Sequence, residues 1–407
     1  MSKATLPSGW EIVKFKKLFD RLTRKNTTGN KNVLTISARH GLINQEEFFN
    51  KSVASNDLSN YYLLKQGDFA YNKSYSTGYN YGAFKRLTRY DSGVVSPLYI
   101  CFAVNVENEC PEFYVHYFES MLLDREVKAF AQEGARNHGL LNIAISDFFA
   151  MKLPFPPLHE QRVIADILTT QDQIIETKSR LISAKKQQKR WLMQNLLTGN
   201  IRLPGFSGEW KQAKLGEVCT GFNYGLNAAA IEYDGVNKYL RITDIHEDSR
   251  KFLTDNLSSP SGEMSEVSLL KKNDLVFART GASVGKSYMY DLSDGKVYYA
   301  GYLICCNVKT EYNARFIFGQ TFTKEYDKWI KIFSMRSGQP GVNAEEYKTY
   351  TFCCPSLAEQ NAIAERLTAA DREIELLTQE LEQQKLIKKH LMQQLLTGKK
   401  RVKEAAQ

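Results

Sequence analysis

The stretch Tyr71-Asn72-Lys73-Ser74-Tyr75-Ser76-Thr77-Gly78-Tyr79-Asn80-Tyr81-Gly82-Ala83-Phe84-Lys85-Arg86 sets cations, amides, hydroxyls and glycines among aromatic rings. A second stretch, Phe277-Ala278-Arg279-Thr280-Gly281-Ala282-Ser283-Val284-Gly285-Lys286-Ser287-Tyr288, has a similar make-up. Lysine and arginine offer charge to phosphates, and the arginine fork also fits a guanine edge; asparagine can read adenine. Glycines let backbone approach a ligand closely. Later come Arg136-Asn137-His138-Gly139 and Arg336-Ser337-Gly338-Gln339, two basic and polar clusters with glycine. These residue types point to nucleic acid. The candidate contacts are Lys73, Ser74, Tyr75, Tyr79, Asn80, Lys85, Arg86, Arg136, Asn137 and His138, then Arg279, Thr280, Lys286, Arg336, Ser337 and Gln339. For any one of them, an ordinary turn in a tyrosine-rich hairpin is the plain alternative.

No residues are spaced for catalysis. Residues 281–287 invite a phosphate-loop reading, but the run is one residue short between its glycines, and Thr280 stands where glycine is wanted. Phe155-Pro156-Pro157-Leu158 resembles an amino-methyltransferase motif only superficially, because Phe155 replaces the residue that would hold the target amino group. The 6 histidines form no pair with metal spacing. Glu160 and Glu359 fall where helices should start, and the helix dipole explains a carboxylate there.

At 407 residues the chain suits two domains of roughly 150 residues each with connecting elements. A hydrophobic content of 43% supports true cores, and a net charge of +9 leans toward a polyanionic partner. Neither a run long enough to span a membrane nor a secretory leader is visible. The 7 cysteines include the adjacent pairs Cys305-Cys306 and Cys353-Cys354, which suit reduced thiols packed as small apolar residues. A cytoplasmic location is expected.

The elements that must hold the candidate contacts occur twice. Pro156-Pro157-Leu158-His159-Glu160-Gln161 opens a segment that closes with Leu196-Leu197-Thr198-Gly199; Pro355-Ser356-Leu357-Ala358-Glu359-Gln360 opens one that closes with Leu395-Leu396-Thr397-Gly398. Trp10 and Trp210 begin the two halves, and Leu63-Leu64-Lys65-Gln66-Gly67-Asp68 matches Leu269-Leu270-Lys271-Lys272-Asn273-Asp274. The ends of each half agree while the middles diverge, which suits a structural frame carrying different binding surfaces. Apolar residues at Ile164, Ile167, Leu168, Ile174, Ile175, Leu181, Ile182, Leu192 and Leu196 step at helical spacing. The seven-residue spacing of Leu367, Ile374 and Leu381 is a coiled-coil seam. Each helix should be about 60 Å long, and the two should pair antiparallel. Gln171, Lys178, Lys185 and Gln384 weaken the seam, either facing a partner or marking where tight packing ends. The run 185–190 reads as a solvated basic face. Elsewhere, 68–71 and 274–277 read as strands entered by a turn, 94–106 and 297–308 as apolar strand pairs, and 112–130 and 312–333 as helices.

The doubled Pro-x-Leu-x-Glu-Gln opening, the long helix, the Leu-Leu-Thr-Gly closing and the tryptophan near the start of each half resemble the specificity subunit of type I restriction–modification systems, over the whole chain. The resemblance implies a mixed α/β fold with an internal pseudo-twofold repeat: target-recognition domains at 1–155 and 200–354, separated by antiparallel coiled-coil helices at 156–199 and 355–398, with a basic tail at 399–407. It implies a non-catalytic, sequence-specific DNA-binding subunit, each domain reading half of a bipartite asymmetric site. The implied partners are double-stranded DNA, two methyltransferase subunits docked on the helices and two restriction subunits, with no membrane. S-adenosylmethionine, ATP and Mg are expected on those partners and no cofactor on this chain. A standalone nucleic-acid methyltransferase or nuclease, or a helical scaffold that never touches DNA, are the competing readings.

Overall fold

The computed structural model describes residues 6–37, 40–49, 54–74, 78–105, 109–133, 141–335 and 339–402. The chain divides into two compact units, 1–179 with 380–407, and 180–379. The two long helices, Leu158–Leu196 and Leu357–Leu395, each of 39 residues, therefore contribute a stretch to both units.

Within the first unit, Glu11–Lys14 pairs antiparallel with Lys152–Phe155. Within the second, Lys211–Lys214 pairs with Thr351–Cys354 in the same way. Each head thus closes on itself immediately before the proline that leads to its long helix. Each head also holds a four-stranded antiparallel sheet of the same order. The first runs Phe19–Leu22, Ile100–Val104, Phe69–Asn72, Ala83–Arg86, and the second Cys219–Tyr224, Leu303–Val308, Asp274–Ala278, Ser287–Met289. The central strand of each is entered through a left-handed residue, Gly67 at φ 95° and Asn273 at φ 71°. Glycine adopts that conformation without steric cost, and asparagine is among the few other residues that tolerate it.

Both expected strand pairs are split between sheets. Ser92–Val95 pairs with Tyr62–Lys65, while Ile100–Val104 joins the four-stranded sheet. Val297–Tyr299 runs parallel to Lys238–Leu240, while Leu303–Val308 joins the other four-stranded sheet. Each expected single helix is two. Pro111–Glu119 and Asp124–Phe130 are separated at Met121, with φ 59°, and Ala314–Gln320 and Lys324–Phe333 are separated by Thr323, which caps the second by accepting from the Tyr326 N–H.

The core of the first unit is aromatic, built from Phe15, Phe19, Phe69, Phe102, Phe118 and Phe148, with Ile164, Leu168 and Leu395 of the long helices packed on it. The core of the second uses Leu215, Leu275, Phe277, Phe316 and Tyr347 with Leu196, Ile363 and Leu367. Burial of these apolar faces, rather than helix propensity, holds the long helices in place.

The helices run antiparallel in both units. In the first, Gln171 donates to Gln384 Oε1 at 2.7 Å, Lys178 pairs with Glu380 at 2.6 Å, and Asp172 pairs with Lys388. In the second, Lys185 pairs with Glu373 at 2.6 Å and Lys189 with Asp371. The polar seam positions thus find partners across the helix pair, so the two helices stay in contact through them. The basic run 185–190 is solvated only in part, because Lys185 and Lys189 are in these pairs. Ile174 and Leu181, expected in the seam, are 38% and 41% exposed. A two-helix pair buries only a narrow stripe, and a straight helix drifts out of a seven-residue repeat.

Candidate nucleic-acid interface

In each unit, two features that are far apart in sequence meet at the end of the central strand. In the second unit Arg279 follows directly on Asp274–Ala278 and its carbonyl accepts from the Val342 N–H at 2.9 Å. Thr280 bridges Gly341, and the Gly281 N–H donates to the Pro340 carbonyl at 3.0 Å. Arg279, Thr280 and the exposed Gln339 are thereby gathered at one strand end. In the first unit the Lys73 carbonyl accepts from the Leu141 N–H at 3.1 Å. Leu141 thus meets Lys73 as Val342 meets Arg279. Ser74 is partly exposed beside Lys73, its N–H held by Asn72 Oδ1 at 3.1 Å, and Asn80 is exposed. Tyr75, Arg136, Asn137, His138, Arg336 and Ser337 lie outside the described residues.

Four candidates are occupied by the chain's own groups. Lys85 is buried against Glu119, which also accepts from the Tyr79 hydroxyl at 2.8 Å. Arg86 pairs with Glu112 at 2.6 Å and donates to the Gly67 carbonyl at 3.1 Å. Lys286 is buried and pairs with Glu247 at 2.7 Å. A buried ammonium must find a counter-charge or lose its proton, and Lys85 and Lys286 each find one within their own unit. The backbone of 281–287 likewise turns inward: Gly285 N–H donates to the Ala278 carbonyl and Lys286 N–H to Ser283. A strand, Ser287–Met289, follows instead of a helix, so no phosphate cradle forms.

A frame at the start of each long helix is built twice from the same side chains. Trp10 Nε1 donates to Glu160 Oε2 at 3.2 Å, and Arg401 clamps the same carboxylate while its Nη1 donates to the Ser8 carbonyl at 2.9 Å. Trp210 Nε1 donates to Glu359 Oε2 at 3.3 Å, and Arg202 grips Glu359 with two bonds of 2.6 and 2.7 Å. Gln161 accepts from the Cys110 N–H at 3.1 Å and donates to the Pro156 carbonyl at 2.9 Å; Gln360 accepts from Asn313 N–H and donates to Pro355, both at 2.9 Å. All four Glu and Gln residues are at most 2% exposed. The Glu-Gln pair therefore does more than answer the helix dipole: it joins the helix start to the tryptophan, to the preceding strand and to the head's own helix cap. The glycine that closes each long helix is required by its backbone conformation, and at Gly398 by space as well. Gly199 and Gly398 have φ 74° and 69°, and a Cβ on Gly398 would stand 2.3 Å from Pro7.

A third repeated contact differs in chemistry. Asp371 pairs with both Lys189 and Arg315, at 2.7 Å for Arg315. Asp172 pairs with Lys388 and lies 3.7 Å from His116, whose Nε2 meets Thr169 Oγ1 at 3.0 Å. Burial holds His116 below its ordinary value, against the pull of Asp172. The buried strand-entry carboxylates Asp68 and Asp274 are also alike. Desolvation raises both, opposed by the backbone N–H of Lys65 for Asp68 and chiefly by the Asn307 amide for Asp274.

Residues 7–185 and 207–385 each match the family described as the type I restriction modification DNA specificity domain, and the chain belongs to that family. It is 26% identical over 297 residues to the type I restriction enzyme MjaVIII specificity subunit of Methanocaldococcus jannaschii, an overlap spanning 68% of each chain. Solved structures share the fold. The HsdS subunit from Thermoanaerobacter tengcongensis matches at TM-score 0.51 and 16% identity over 97% of this chain and 98% of that one. The S subunit of the type I restriction-modification system from M. genitalium matches at TM-score 0.54 and 16% identity over 97% of both. A chain from a structure concerning complex assembly and conformational transition of the type I R-M system matches at TM-score 0.60 and 15% identity over 96% and 98%.

The Glu160, Gln161 and Arg401 contacts and their counterparts were not read as a network from sequence. A signal existed, since Arg202 and Arg401 stand equally far beyond the two Leu-Leu-Thr-Gly closings.

Proposed function

We propose that this chain is the non-catalytic DNA-reading subunit of a type I restriction–modification complex, each head reading one half of a bipartite, asymmetric site. The observation that carries the reading is the constant frame with unlike tips: the same Trp, Glu, Gln and Arg contacts support a strand end bearing Lys73 in one unit and Arg279 in the other. Such a design changes what is read without changing what assembles. The long helices set the gap between half-sites and dock the methyltransferase subunits. The exposed apolar residues Ile174, Leu386 and Ile387 of the first unit and Leu181, Trp191 and Leu376 of the second support a docking role. S-adenosylmethionine, ATP and Mg belong to the methyltransferase and restriction partners.

The test is to assay the full chain alone and assembled with a type I methyltransferase subunit, using labelled S-adenosylmethionine and duplex DNA. The expected result is methylation only by the assembly, at a bipartite sequence. Methyl transfer by the chain alone supports the standalone enzyme instead. Duplex binding that ignores salt contradicts phosphate contact.

A further inference from the structure

One cation at the end of a core strand of the second unit has no carboxylate partner among the described residues. Arg279 follows a strand whose five residues are all buried. Its backbone is fixed from two sides, the N–H donating to the Tyr302 carbonyl at 3.1 Å and the carbonyl accepting from the Val342 N–H at 2.9 Å. Its guanidinium lies over the Tyr224 ring, 4.9 Å from the centroid. Tyr224 is itself held, its hydroxyl accepting from the Ala344 N–H at 3.3 Å. Root and direction of the side chain are both set. Its Nε is buried with no acceptor, which is costly for a charged donor. Lys286, Arg241 and Arg202 of this unit are neutralised by Glu247, Asp244 and Glu359; Arg250 is, like Arg279, over a ring with a buried nitrogen unpartnered, but it does not follow a core strand.

We infer that Arg279 reads a guanine in the half-site contacted by the second unit; this rests on the DNA-reading role proposed above. A phosphate accepts a point charge as well as a fork, whereas the paired O6 and N7 acceptors of guanine match the planar guanidinium fork best. A guanidinium stacked on an aromatic ring has lost much of its freedom before binding, which suits a directional contact. The Gln339 amide is close by, its Nε2 3.3 Å from where a Cβ on Gly281 would stand, and amides read purine edges. The first unit supplies the contrast. Lys73 follows Phe69–Asn72, and its carbonyl is held by Leu141 as that of Arg279 is by Val342. Lysine is a point charge without the planar fork, which suits a phosphate contact at this position in the first unit.

The experiment maps methylated sites for the full chain assembled with its methyltransferase, comparing wild type with Arg279→Lys, Tyr224→Leu and Lys73→Ala, each first shown to unfold cooperatively. A G·C pair is expected in one half-site. Arg279→Lys relaxes that position alone, its preference falling about 5- to 150-fold, and Tyr224→Leu relaxes the same position by a smaller factor. Lys73→Ala weakens all sequences alike and lowers the log–log salt slope by about one. If Arg279→Lys weakens every sequence equally and leaves the site unchanged, Arg279 contacts phosphate and the inference is overturned. A wild-type assembly that shows no bipartite sequence overturns the DNA-reading role itself.

Discussion

The indole of Trp10 donates to the carboxylate of Glu160, 150 residues further along the chain, at 3.2 Å. Trp210 and Glu359 repeat the bond at 3.3 Å, 149 residues apart. These bonds tie the start of each head to the start of the long helix that leaves it. Glu160→Ala leaves the buried Trp10 N–H without an acceptor, which should cost about 1–3 kcal/mol. Glu359→Ala should act alike in the second unit. Chemical denaturation of the full chain checks both, and a loss below about 0.5 kcal/mol for either contradicts the frame role.

Glu109 offers a pH test. Both its carboxylate oxygens are buried without a partner among the described residues, and burial pushes it from 4.5 up to about 7. Between those values the unfolded chain releases a proton that the folded chain keeps, so this group lowers stability as pH rises through the window. His116 acts oppositely. Burial lowers it from 6.5, so as pH falls below that value the unfolded chain takes up a proton first and stability is lost. Unfolding midpoints from about pH 4.5 to 8 should show Glu109→Gln steepening the rise of stability with pH and His116→Gln flattening it. Profiles parallel to wild type in both variants contradict these assignments.

Lys85 separates internal pairing from ligand contact. Replacing it with alanine leaves Glu119 without its buried cation and should cost about 1–3 kcal/mol. The sequence methylated by the assembled complex should stay the same. A changed half-site with unchanged stability reverses the assignment.

If the helices set the gap between half-sites, lengthening both lengthens the gap. Seven residues inserted after Ala184 and seven after Glu373 keep the apolar seam in step. They add about 10 Å, near three base pairs. Mapped sites should show a longer gap between unchanged half-sequences, and an unchanged gap at full activity removes the ruler role.

The long helices were legible because period and punctuation agree: prolines stand before Leu158, and glycines stand just beyond Leu196 and Leu395. The strand entries at Gly67 and Asn273 were legible from their matched surroundings. What sequence could not settle was the use of each charge. Glu160 has a sufficient local explanation in the helix dipole, while its partners Trp10 and Arg401 lie at the two ends of the chain. Lys85 and Lys286 sit in segments rich in binding-type residues, and only the fold brings Glu119 and Glu247 to them. Lys178 and Lys185 look like breaks in an apolar seam until the facing helix supplies Glu380 and Glu373.

The most direct measurement exchanges residues 1–155 for the first head of another family member and maps methylation by the assembled complex. Glu11–Lys14 pairs with Lys152–Phe155, so the exchanged piece carries its own closure and leaves both long helices intact. The account predicts a new sequence in one half of the site, with the other half and the gap unchanged. Both halves changing together, or neither, contradicts it.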